Sequence, residues 1–318
     1  MSNSSIRPCT ISVLGAAAID WVAQVDELPR LDGISWVKQY DPFPGGSGAN
    51  MASAVARLGK SVRFIGRLGD DDGGNILWNA FQQAGVDTAG IRIEKNSRTA
   101  SCFIGVDSHG NREIYSLGGV ALFEHPEDLS PEWFNGTKVL LISDAYCEVA
   151  LTAIALCDEN TKIIFSPGGL MVELPGDQLD SLLAKTNVLV INQVEAGKIT
   201  GFTNPQTAIK LLVDRGSEFV IITLGKDGLL VWDGEKASPV PAFQCDSIVD
   251  TTGAGDAFVA GFAVGLMENL DMLSAARLGN AVSAFKIRHF GARNGIPNLQ
   301  QAINFTNKYK SIDEEVNP

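Results

Sequence analysis

The sequence predicts an α/β fold with a mainly parallel central sheet covered on both faces, and a small second sheet attached to it. Two observations predict the main sheet: short β-branched apolar runs recur along the chain, and helix-like stretches separate most of them. Crossovers of that kind join parallel strands and leave ligands outside the carboxyl ends of the strands. The third observation is that two stretches, 21–43 and 99–117, break the rhythm and together suit a separate small sheet.

The elements follow in order. A first strand over 10–14 ends at Gly15, and Asp20 comes just after it. The apolar stretch 11–19, with Ala16, Ala17 and Ala18, imitates a secretion leader, but it is short, contains Gly15 and ends in Asp20, so it reads as the strand and its turn. The first excursion holds Trp21, Val22, Val25, Trp36, Val37 and Tyr40, with Pro29, Gly33 and Pro42 between them. A glycine-rich entry, Gly45-Gly46-Ser47-Gly48-Ala49-Asn50, leads into a helix over 51–58. Strands are predicted at 62–66, 138–142, 162–166, 187–191 and 219–224. The second excursion reads as a hairpin turning at Ser108-His109-Gly110-Asn111. The longest apolar run, 257–267, is a core helix by length and falls short of the ~18 residues that span a membrane. With no linker, low-complexity tract or internal repeat, 1–318 reads as one domain with two excursions.

Composition narrows the function. A chain of 318 residues buries roughly three-quarters of its unfolded surface, so no disulfide scaffold is needed. The formal charge of −12 offers no footprint for nucleic acid or anionic lipid. An anionic substrate would have to be met by backbone amides, a metal or a few local Lys and Arg. Five scattered cysteines without C-x-x-C spacing fit a reducing, cytoplasmic compartment. The Asn135-Gly136-Thr137 sequon then reads as a turn. Three histidines without ligand spacing give little material for a zinc site or a Ser-His-Asp hydrolase.

The strongest chemical signal is Asp250-Thr251-Thr252-Gly253-Ala254-Gly255-Asp256 entering the helix at 257. A glycine turn lets backbone approach a ligand, helix-start amides point at it, and Asp256 could take a hydroxyl proton beside that anion site. A plain glycine turn with an ordinary helix-start acid fits the same residues. Two further turns follow predicted parallel strands: Thr223-Leu224-Gly225-Lys226-Asp227-Gly228 and Asn192-Gln193-Val194-Glu195. Glu195 suits Mg²⁺, directly or through water, or a solvated first helical turn. Near the front, Asp20 and Asn50 supply acceptors and donors for vicinal hydroxyls; a helix cap by Ser47 with a loop acid is the plain alternative. Leu58-Gly59-Lys60-Ser61 mimics the end of a P-loop, but it follows a helix and lacks the first glycine. No G-x-G-x-x-G follows the first strand, so a dehydrogenase loses its main support.

In this order the pieces resemble the ribokinase-like (phosphofructokinase B) family of sugar and nucleoside kinases, from Gly15 to about Pro297. Residues 250–262 (DTTGAGDAFVAGF) look like its carboxyl-terminal signature, and 45–69 resemble its amino-terminal one. The resemblance implies a three-layer α/β sandwich whose two excursions form a β-sheet lid. It implies ATP and Mg²⁺, with Asp256 as base and Gly253, Ala254 and Gly255 as anion hole. Asn192 and Glu195 would lie near Mg²⁺ and the phosphates, and Thr223, Gly225, Lys226, Gly228, Gly255 and Asn280 near ATP. Asp20, Gly45, Gly46 and Asn50 would hold the sugar. It also implies K⁺ held by Asp250, Thr252 and carbonyls near Lys286, His289 and Gly291, although Gly295 stands where ribokinases place a Ser hydroxyl. Ser47 and Ala18 replace a Lys and an Asn of ribokinases, so ribose itself is not assumed. Adenosine-like kinases remain an alternative, with Trp21, Trp36, Phe103 or Tyr115 stacking on a base or packing the lid, as does a catalytically silent nucleotide sensor. The edge of the lid offers a homodimer surface.

Overall fold

Strand β1 (Ile11–Leu14) is buried along its whole length and sits inside a nine-stranded sheet, because a strand covered by helices on both faces must be apolar on both. The structure, a computed structural model, describes residues 7–316 except 110, 173–175 and 246. Gly110 of the predicted hairpin turn therefore lies outside the described residues. The strands after β1 are β2 (Ala18–Val25), β3 (Val37–Gly45), β4 (Val62–Gly69), β5 (Asp87–Glu94), β6 (Ser101–Val106), β7 (Arg112–Ser116) and β8 (Val139–Ile142). They continue with β9 (Lys162–Phe165), β10 (Val188–Asn192), β11 (Phe219–Thr223), β12 (Leu229–Trp232) and β13 (Ala237–Val240). The helices are α1 (Ser47–Arg57), α2 (Asp72–Ala84), α3 (Cys147–Ala155), α4 (Gly168–Met171) and α5 (Gly176–Leu183). After them come α6 (Gln193–Thr200), α7 (Pro205–Asp214), α8 (Ala254–Met267), α9 (Met272–Lys286) and α10 (Leu299–Val316).

The large sheet runs β13-β12-β11-β10-β9-β8-β1-β4-β5. From β11 through β5 every pairing is parallel; β12 and β13 add an antiparallel edge that the sequence pattern did not announce. Apolar residues of α1, α2, α8 and α9 pack one face, and those of α3, α5, α6 and α7 pack the other, which makes the three layers. The chain runs from β1 to β4 on one side and later to β8 on the other. The carboxyl ends of β1 and β8 thus mark the point where strand order reverses, the usual ligand crevice of open α/β sheets.

The small sheet runs β3-β2-β6-β7 and is the lid. It begins at Ala18 instead of 21, because the β2–β3 pairing continues to Ala18 opposite Gly45. Asp20 is therefore a lid residue, paired with Phe43 on β3 and Cys102 on β6. Strand alternation places Asp20, Val22, Phe43, Ile104, Val106 and Arg112 on the face lining a cavity. Trp21, Tyr40, Phe103 and Tyr115 fall on the opposite face, where Trp21 stacks on Tyr40 and tilted contacts join Tyr40 to Phe103 and Phe103 to Tyr115, with ring centroids 5.4, 6.2 and 6.3 Å apart. These aromatics face away from the cavity and do not stack on a bound base, and Trp36 is exposed.

Candidate active site

Helix α8 starts three residues before the predicted 257, so Ala254 and Gly255 belong to its first turn. Its N-cap is Gly253, which offers no side chain to the amides. Glycine is required there: φ is 75°, and a Cβ would stand 2.6 Å from the Ala292 carbonyl oxygen. Within the turn the Ala254 amide donates to the Thr251 carbonyl at 3.1 Å, so this member of the expected anion hole is already engaged. Among the described residues, the amides of Gly255 and Asp256 have no protein acceptor. A Cβ on Gly255 would meet nothing within 4 Å. An apolar helix thus ends in unpartnered donors with its dipole behind them, facing open space, which suits a phosphoryl-sized anion.

Asp256 joins that turn to the front of the chain. Asn50 Nδ2 donates to Asp256 Oδ2 at 2.8 Å, while Arg293 Nε donates to Asn50 Oδ1 at 2.9 Å. Arg293 Nη2 also donates to the Gly45 carbonyl at 2.9 Å, and its guanidinium lies 5.6 Å over the Phe81 ring. The Asp20 carboxylate fills the place a Cβ on Gly45 would take, so any larger residue there would displace it. The plain alternative of a Ser47 cap is not what folds: Gly46 is the N-cap of α1, without a side-chain bond, and Ser47 reaches toward Asp256. Burial raises Asp256 to about 7, with Asp144 adding to the rise and Asn50, Arg293 and Ser47 opposing it. Burial likewise raises Asp20 to about 6 against Arg293 and Arg112, and lowers Arg293 to about 10.

A cavity of about 300 Å³ lies between the lid and the loops at 248–252 and 290–292. Its walls mix apolar side chains with polar groups, and Asp20, Arg112 and Asp250 are the charged residues among them. Arg112 Nη1 donates to Thr252 Oγ1 at 3.1 Å, tying the lid to the turn that opens α8.

A second cavity, about 530 Å³, is lined by Asn192, Glu195, Lys198, Thr223 and Gly225 among others. Asn192 and Thr223 are register partners at the carboxyl ends of β10 and β11, which explains their meeting here. Asn192 and Glu195 form a reciprocal capping box: Asn192 Oδ1 accepts from the Glu195 amide at 2.9 Å, and Glu195 Oε2 accepts from the Asn192 amide at 3.0 Å. Burial raises Glu195. Lys226, Gly228 and Asn280 do not line this cavity. Asn280 Nδ2 donates to the Pro241 carbonyl instead.

Behind the α8 turn, Asp250 Oδ1 accepts from the Thr252 amide and Oδ2 from the Gly291 amide, both at 2.8 Å. Burial raises Asp250, but these bonds and Lys286 outweigh it and leave the carboxylate below its usual value. Lys286 is fully buried and donates to the Asp250 carbonyl at 2.6 Å. His289 Nδ1 lies 3.2 Å from the Phe285 carbonyl.

Three residues of this neighbourhood were not singled out in the sequence. Asp144 follows β8 at the switch point, is raised to about 6 by burial and by Glu195, and bears on Asp256 in turn. Its signal was available, since it lies two residues past the end of β8, on the carboxyl-end side of the sheet as Asn192 does. Arg293 and Arg112 carry no local signal; folding brings them from distant segments.

A parallel α/β sandwich with an open anion turn, carboxylates on both sides of it and two cavities at the strand ends is the arrangement of a small-molecule kinase. Residues 10–299 match the pfkB family of carbohydrate kinases, and the chain belongs to that family. It is thus an ATP-dependent kinase of the sugar and nucleoside class. It is 31% identical over 308 residues to a ribokinase of Haemophilus influenzae, covering 93% of this chain and 98% of the relative. It is 30% identical over 314 residues to an aminoimidazole riboside kinase of Salmonella typhimurium, covering 93% and 95%. The structure of Arabidopsis thaliana ribokinase complexed with ribose and ATP superposes with a TM-score of 0.85 at 25% identity, covering 94% of this chain and 99% of that one.

Proposed function

We propose that the chain transfers the γ-phosphoryl group of ATP to a hydroxyl of a small sugar held at Asp20 and Asn50, with Asp256 as general base. The observation that carries this reading is the pairing of a carboxyl raised to about 7 with acceptor-free amides in the same helical turn. As the acceptor oxygen attacks phosphorus, its proton passes to the Asp256 carboxylate, and the bond from the γ-phosphorus to the ADP oxygen breaks. Charge on the moving group is met by the 253–256 turn, a local device needed in a protein of net charge −12. Asn50 holds Asp256 in place, and Arg293 holds Asn50.

Asn192, Thr223 and Gly225 around the second cavity support nucleotide binding there; the roles expected of Lys226, Gly228 and Asn280 gain no such support. Mg²⁺ fits this side: Asp144 and Glu195 are half-buried or buried acids, both raised by burial, and a dication relieves that cost. Glu195 keeps Oε1 outside its capping box and would hold Mg²⁺ through water, supplying charge neutralisation at the phosphates.

A second reading, a ribonucleoside acceptor, is favoured by the lid cavity. Val22, Phe43, Ile104, Val106, Ile248 and Val249 form a wall suited to a heterocyclic base, whereas a bare sugar offers mainly hydroxyls. The outer aromatic face of the lid is where a second copy would pack as a homodimer; its mass by light scattering, with Tyr40→Glu as the disrupting variant, tests this.

The experiment is an ATP-consumption screen over pentoses, hexoses, sugar acids and nucleosides. One class should be consumed, and Asp256→Asn should lose ~10²- to 10⁴-fold in kcat with ATP binding intact. Equal turnover in that variant would refute the role of Asp256. Adenosine displacing the sugar, with ribose failing to do so, would select the nucleoside reading.

A further inference from the structure

The ligand set that the resemblance implies for a monovalent cation does not fit one in this chain. The Asp250 carbonyl already accepts from the Lys286 ammonium at 2.6 Å, and that ammonium lies 3.8 Å from Asp250 Oδ2. Lys286 closes α9 and has no exposed surface, so its amino group is held inside the fold; burial lowers its pKa, and Asp250 and Asp256 beside it favour the ammonium. Its own carbonyl accepts from the His289 amide at 3.0 Å. A side-chain oxygen is missing as well, since position 295 is glycine with φ 77°, and a Cβ there would collide with the His289 ring. A serine could not be placed without moving that ring.

A metal cation at this set would share the Asp250 carbonyl with an ammonium, and two positive charges a few ångströms apart repel strongly where water is excluded. An ammonium carries the same charge as K⁺ and is a compact, directional donor. Asp250 in turn holds the Thr252 and Gly291 amides, the two strands of backbone that frame the entry to α8.

We infer that the Lys286 ammonium replaces the monovalent cation in this chain: it holds the 250–254 turn in shape and supplies positive charge behind the anion site. Lys286 is a positioning residue, acting through Asp250 and the turn. The kinetic consequence rests on the phosphoryl-transfer reading; the thermal one does not.

The test compares KCl, NaCl and tetramethylammonium chloride at equal ionic strength, reading both thermal unfolding and acceptor-dependent ADP formation. The native protein should give the same unfolding temperature and the same kcat/KM in all three salts. In Lys286→Ala the vacated space becomes a cation site. Its kcat in tetramethylammonium should fall about 10²-fold, as when one stabilising donor is lost, and KCl should restore part of it. KCl should also raise its unfolding temperature by roughly 2–4 °C, the mass-action effect of a weakly bound ion. A native protein activated and stabilised by KCl over tetramethylammonium would overturn the inference. So would a folded Lys286→Ala indifferent to KCl in both measurements. Should Lys286→Ala fail to fold, the native protein's response still decides. The unfolding data need no turnover, so failure of the kinase reading would not be mistaken for failure of this one.

Discussion

Helices α6 and α8 both start at the carboxyl edge of the sheet region, yet their amino termini are built in opposite ways. At α6 the side chains of Asn192 and Glu195 satisfy each other's backbone amides. At α8 a glycine opens the helix and two first-turn amides are left to whatever arrives. Away from the site, α2, α7 and α9 follow the α6 pattern, capped by Asp71, Asn204 and Asp271. A capped terminus contributes about 1 kcal/mol of stability on its own. An uncapped one gives that up; α1, α3 and α4 also start without a side-chain cap, so it is the open space beside the α8 donors, not the missing cap alone, that marks a binding site. The motif Asn-x-x-Glu therefore carries a structural duty whether or not Mg²⁺ uses it, while in Gly-Ala-Gly-Asp that duty falls on Gly253 alone, imposed by its positive φ and the nearby Ala292 carbonyl.

The sharpest break of this contrast comes from two neighbouring glycines. Gly253→Ala forces a Cβ into the Ala292 carbonyl at positive φ, so both unfolding temperature and activity should fall, the latter about 10²-fold or more as the donors lose aim. Gly255→Ala adds a methyl that touches no protein atom and favours the helix by roughly 0.5–1 kcal/mol. It should unfold at a higher temperature and still lose activity, because the methyl stands where the anion belongs. Calorimetry with steady-state kinetics reads both, and a Gly255→Ala of undiminished activity would place the anion elsewhere.

The next effect is pH dependence. Asp256 must be ionised to act, and its value is raised from 3.8 to about 7, so kcat/KM should fall about tenfold per unit below pH 7 and level off above it. Stability runs the other way. Favouring the neutral carboxyl is a contribution fully present below 3.8 and lost as pH rises through about 7. Asp256→Asn should therefore gain more in unfolding temperature over the native protein at pH 8 than at pH 5. A flat activity profile from pH 5 to 8 would contradict the base assignment.

The smallest effect sharpens the α6 side. Asn192→Ala should cost about 1 kcal/mol of stability through the lost cap, whereas Glu195→Gln keeps the box and should be near neutral in calorimetry. If Glu195→Gln nonetheless raises the Mg²⁺ concentration needed for half-maximal rate, its carboxylate serves the ion as well as the helix.

What could be seen in the sequence follows the same division. The strands at 62, 138, 162, 187 and 219 were visible because burial on both faces leaves unbroken apolar runs. Strands β12 and β13 were not, since β12 (LLVW) follows β11 with no α-helix between and β13 (ASPV) carries serine and proline, and β5 (DTAGIRIE) is too polar to stand out. Turn-and-helix signals such as 250–256 are local and legible. The Asn50–Asp256 bond joins positions 206 apart, and Arg293 reaches Gly45 across 248, so no spacing could announce them. Asp144 was overlooked for a different reason: Ser143-Asp144 has no glycine to draw attention, although it follows a buried strand directly at the carboxyl end of the sheet.

The most direct measurement is a crystal structure with ADP, an acceptor and aluminium fluoride standing for the moving phosphoryl group. The fluoride ligands should lie about 2.7–3.1 Å from the Gly255 and Asp256 amide nitrogens, with an acceptor hydroxyl on the Asp256 carboxylate. A phosphoryl mimic bound away from the start of α8, with those amides still facing solvent, would contradict the account.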